Sequence, residues 1–67
     1  MNQEQRIAFI NSQITCANAE VEGMKAENQY RVDCGHSIAY GEEAFYKVAE
    51  TYGLTHSQVI EYLSNNF

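Results

Sequence analysis

The 67-residue chain has no proline, two cysteines and four basic residues. With no proline and no low-complexity tract there is no linker to divide it, and one small domain is expected. Cys16 and Cys34 are too few for a disulfide scaffold, so reduced thiols are expected. No apolar run reaches spanning length and no signal peptide is evident, which implies a soluble, cytoplasmic protein with no membrane partner. Arg6, Lys25, Arg31 and Lys47 are scattered among nine acidic residues, for a formal charge of −5. Binding to nucleic acid needs clustered bases that displace counterions, so nucleic acid is disfavoured as a partner. The charge instead suits a protein partner with a basic surface.

What is present is helical periodicity. Ile7, Ile10, Ile14, Ala17, Val21 and Met24 follow one another at spacings of three and four, the mark of an amphipathic helix with a seam. Asn2 and Gln5 form a capping box that starts it near residue 3. Gly23 lowers helicity by roughly 1 kcal/mol against alanine without ending so strong a pattern. Glu20 and Lys25 flank the seam as they would in a parallel two-chain coiled coil, and Asn28 falls where a polar core residue would set its register. So short a chain buries only about 60% of the surface its unfolded form exposes. The seam is therefore read as an oligomer interface, and a homo-oligomer is expected. Packing on the chain's own later helices is the alternative.

A second helix is expected from Glu42 to Tyr52, with Phe45, Val48, Ala49 and Tyr52 on its apolar face and Gly53 as its stop. Thr55 and Gln58 supply a capping box for a third, which Leu54 can staple to Val59. No alternating strand pattern competes. The expected fold is all-α: a long amphipathic helix over 1–30, a connecting loop over 31–41, and a compact two-helix unit over 42–67. Within that unit "FYKVAETYGLTHSQVIEYLS", residues 45–64, resembles the helix-turn-helix motif of DNA-binding regulators. Val48 and Tyr52 match its first core, Ala49 the crossing, Gly53 the turn, Leu54 the buried residue after it, and Val59 and Tyr62 the second core. The resemblance implies exposed recognition positions at Thr55, His56, Ser57, Ile60, Glu61 and Ser64. These lack the Arg, Lys, Asn or Gln that read bases, and neither Asn65 nor Asn66 replaces the missing charge.

The richest chemistry lies in "YRVDCGHSIAYGEEAF", residues 30–45. Cys34 and His36 stand two apart around a glycine and do not naturally converge, and nothing orients the imidazole. No catalytic residue is assigned, and the protein is read as no enzyme. Cys16, Cys34, His36 and His56 could in number satisfy zinc, but there is no Cys-x-x-Cys knuckle, so neither a metal nor any other cofactor is expected. Tyr30, Arg31, His36, Ser37 and Tyr40 offer stacking faces, a planar cation and hydroxyls, a kit suited to a nucleotide-like ligand. The plainer reading of the stretch is a joint, with Gly35 ending the first helix or a turn. Glu42, Glu43, Glu50 and Glu61 form a candidate surface for a basic protein partner.

In overall type (very short, acidic, helical, and carrying the phrase "AENQYRVDCGHSIAYGEEAF") the chain resembles the accessory proteins of bacteriophages that block or sequester a host defence component. That resemblance implies a small non-enzymatic inhibitor acting through protein–protein contacts in the cytoplasm of a bacterial host. Two alternatives stand beside it: an oligomeric sponge for a nucleotide-like signal, and a helix-turn-helix DNA-binding regulator.

Overall fold

In a computed structural model of the chain, residues 2–64 are described; Asn65 and Asn66 lie outside them. Helix α1 spans Gln3–Asp33, α2 Glu42–Thr51 and α3 His56–Ser64, with no strand among the described residues. The capping box at the start of α1 is complete. Asn2 Oδ1 accepts from the Gln5 amide at 2.8 Å, and Gln5 Oε1 accepts from the Asn2 amide at 3.0 Å. The helix runs unbroken through Gly23, because one glycine penalty is small against thirty other helical residues.

The helix ends at Asp33, so residues 31–33 belong to α1 and the connecting loop is only 34–41. The stop is set by Gly35, at φ +78°, not by the fading of apolar periodicity at Asn28. The Gly35 amide donates to the Val32 carbonyl at 2.9 Å, and that of His36 to Arg31 at 2.7 Å. This is a Schellman closure, which needs a left-handed residue just past the helix. The same pair of bonds recurs at Gly53, φ +69°, where the Gly53 and Leu54 amides reach the Glu50 and Ala49 carbonyls. Thr55 and Gln58 then cap α3 reciprocally, the Thr55 amide donating to Gln58 Oε1 and the Gln58 amide to Thr55 Oγ1.

Together α2 and α3 form a bent, two-piece helix lying along α1. Four contacts fix the antiparallel order: Gln3 with Leu63, Arg6 with Tyr62, Gln13 with Tyr52, and Asn28 with Tyr40. The result is a rod of 52 × 18 × 11 Å, two helices wide and one layer thick. Its length is set by α1, since 31 residues at 1.5 Å each span about 46 Å.

The packing divides the α1 seam lengthwise. Residues seven apart lie within about 20° of one another on a helix, so the seam is two rows. Ala17 and Met24, of the row that includes Ile10, are buried with Val48, and Val21, Ala44, Phe45, Tyr52 and Leu54 pack around them. Ile7 and Ile14, of the row that includes Val21 and Asn28, remain exposed at 49% and 40%. Ile10 is half-buried. Near the open end of the rod Arg6 is 4% exposed. Its Nη1 donates to the Tyr62 carbonyl at 3.1 Å, and its guanidinium lies 5.7 Å from the Tyr62 ring centroid.

Candidate functional site

Two concave surfaces flank α2. The first is acidic. Glu42, Glu43, Tyr46, Lys47 and Glu50 line a shallow hollow of about 580 Å³. Because α2 advances about 100° per residue, Glu42, Tyr46 and Glu50 stack as one stripe and Glu43 and Lys47 as its neighbour. Tyr46 is 61% exposed, and all three glutamates are exposed. Three of the four glutamates expected on a partner surface are therefore brought together; Glu61 is exposed on α3, outside the hollow. The sequence pattern pointed to the acids but missed Tyr46, the aromatic residue between them. Its signal was present: a large side chain off the apolar face of an amphipathic helix.

The second surface is an open groove of about 400 Å³ between α1 and α2, lined by Glu20, Gly23, Met24, Tyr40, Ala44, Lys47, Val48 and Thr51. A Cβ at Gly23 would meet nothing within 4 Å, so the missing side chain leaves that wall open. Along the same side of α1, the Tyr52 phenol faces the Glu20 carboxylate. Hydrogen bonding toward Glu20 holds the phenol above its ordinary value, with smaller contributions from desolvation and from the nearby Glu20 and Cys16 charges.

Of the expected ligand residues, only Tyr40 enters this groove. Tyr30 is 66% exposed in the last turns of α1, and His36 and Ser37 lie exposed in the loop. Arg31 is half-buried, with Nε 4.0 Å from Glu27. What orders the loop is a residue sequence reasoning assigned elsewhere. Asn28 Nδ2 donates to the Tyr40 carbonyl at 2.8 Å, and its Oδ1 accepts from the Ala39 and Tyr40 amides at 2.9 Å each. Three of the four hydrogen bonds open to the Asn28 amide are thus made inside its own chain. Lys25, expected beside the seam, pairs with Glu22 on its own helix at 3.0 Å.

Among the described residues no group of three or more His, Cys, Asp or Glu is placed to hold a metal ion. Cys16 and Cys34 are both free and exposed. The unbroken helix sets them roughly 27 Å apart, far beyond any bridge. No described helix is long and apolar enough to cross a membrane. The exposed residues of α3 are His56, Ser57, Gln58, Ile60, Glu61 and Ser64, while Val59 and Tyr62 are half-buried, as is Thr55, which the motif would leave exposed. Tyr62 is packed 5.8 Å from the Phe9 ring. No protein-family model, no curated protein and no solved structure matches this chain.

Proposed function

We propose that the protein is a non-enzymatic binding module that inhibits or sequesters a host component by seating a basic segment of that partner on the acidic face of α2. The observation that carries this reading is the hollow itself: three exposed carboxylates against one cation, Lys47, beside an exposed tyrosine ring. A Lys or Arg side chain fits such a setting, its charge facing Glu42, Glu43 and Glu50 and its cation over the Tyr46 face. Tyrosine is among the residues that anchor protein interfaces, and rim acids steer a basic partner toward it. A short acidic helical chain of this kind also resembles the phage accessory proteins that act by occupation and not by catalysis.

The test is capture from host lysate by wild-type and variant baits. Glu50→Lys and Tyr46→Ala are expected to lose the captured protein at least tenfold, and 0.5 M salt to elute it from the wild type. Glu4→Lys, the same charge change on the far end of α1, is expected to retain it. Capture indifferent to Glu50→Lys, Tyr46→Ala and salt would sink the reading.

A second reading draws on the groove beside Tyr40. A nucleotide-like signalling molecule could stack on that ring and be met by Lys47 and Thr51, which also line it. A thermal-shift screen of nucleotides and cyclic nucleotides decides it: no rise in Tm at millimolar ligand removes this reading.

A further inference from the structure

The distribution of charge along α1 is uneven. Glu4 and Arg6 stand before Ile7, and Glu20 is the next charged residue, so thirteen consecutive residues from Ile7 to Ala19 carry no charge on any side of the helix. One flank of this segment faces α3 and α2. On the edge beside Phe9 it meets Tyr62. The opposite edge presents the Ile7 and Ile14 row, which lies roughly 140° to 160° round from Phe9 at 100° per residue.

On α3, Ile60 is two residues and about 200° from Tyr62, with half-buried Val59 and Leu63 facing inward between them. Ile60 therefore emerges on the same broad face of the rod as Ile7 and Ile14, and it is 50% exposed. Half-buried Val21 and Phe45 extend this face toward the loop. The other broad face holds Glu20, Lys47 and the groove.

We infer that the broad face carrying Ile7, Ile14 and Ile60 is covered by the same face of a second copy, forming a four-helix assembly of two antiparallel hairpins. Three features favour a copy over a foreign partner. The rod is one helix layer thick, whereas a domain is stabilised by packing two layers around a core. Its exposed isoleucines, Ile7, Ile14 and Ile60, gather in one half of the 52 Å rod, so a copy related by a two-fold axis sets one cluster against the same cluster. The uncharged stretch has no ionic feature to select a charged partner, and an apolar face related to itself by a two-fold axis is complementary by construction. This surface is separate from the acidic hollow on α2, so either assignment stands if the other fails.

Light scattering across protein concentrations tests it on the full chain. The wild type is expected at twice the 7.6 kDa chain mass. Ile14→Glu is expected at the single-chain mass with its helical circular dichroism retained, reflecting at least a hundredfold weaker association. Tyr30→Glu adds the same charge on the far side of α1 and is expected to keep the doubled mass. Should Ile14→Glu lose helicity, Ile7→Glu, at a more exposed position, takes its place with the same readings. A wild-type mass of one chain, or of three or more, overturns the inference. So does a doubled mass that survives glutamate at Ile7 or Ile14 in a folded variant.

Discussion

Two polar residues hold the ends of the hairpin. At the open end Arg6 is nearly inaccessible, yet it ties α1 to the Tyr62 carbonyl in the last turn of α3. A cation at that place complements the negative end of the α3 dipole. At the closed end Asn28 makes three hydrogen bonds to Ala39 and Tyr40, replacing backbone pairing that a loop cannot supply. Net hydrogen bonds are worth about 1 kcal/mol each and less where water competes. Asn28→Ala is thus expected to lower stability by ~2 kcal/mol, and Tm by roughly 8–16 °C in a domain of this size. Thermal denaturation followed by circular dichroism measures it. A shift under 3 °C would show that water replaces the amide fully. Neither role was legible beforehand: Arg6 reads as one surface base among four, and Asn28 as a seam position whose partner lies eleven or twelve residues on.

At the scale of elements, boundaries followed local chemistry closely. The Asn2–Gln5 and Thr55–Gln58 boxes start α1 and α3 where their spacing placed them, since a cap acts over three residues and needs no tertiary help. Gly35 and Gly53 end helices because they accept positive φ, while Gly23 lies inside α1 with open space around it. Gly23 and the two positive-φ glycines should therefore respond oppositely to alanine. Gly23→Ala is expected to raise stability by about 0.5–1 kcal/mol through helix propensity. Gly53→Ala is expected to lower it by about 1 kcal/mol, since a Cβ in the left-handed region meets the following carbonyl. Urea midpoints of the two variants check both signs; a Gly53→Ala variant as stable as the wild type would contradict the backbone reading. The expected two-helix unit exists, but its pieces lie end to end on α1 as a bent helix, an arrangement that motif spacing leaves open.

For the whole molecule the governing fact is shape. The radius of gyration is 15.4 Å, against about 11 Å for a compact chain of this length. A rod one layer thick has little interior, so each lateral contact between α1 and the returning helices weighs heavily in global stability. Tyr52 sits at the bend of that return, where the neighbouring Glu20 carboxylate holds its phenol above the ordinary value. A raised folded value stabilises the fold fully below the unfolded phenol value of ~10, and the gain is lost as pH rises through the folded one. The Tm advantage of the wild type over Tyr52→Phe should accordingly be constant below pH 9 and shrink above pH 10. A difference that holds unchanged to pH 11 would exclude the Glu20 contact as a contributor to folding.

By itself the sequence determined helix number, helix type and nearly every helix end, because periodicity, caps and glycine stops act within a few residues. Tertiary structure alone decided which seam row turns inward, which residue ties the loop, and which acids gather around Tyr46. Those outcomes depend on how residues distant along the chain align when α2 and α3 fold back on α1, and a shift of one residue in that alignment turns each side chain by 100°.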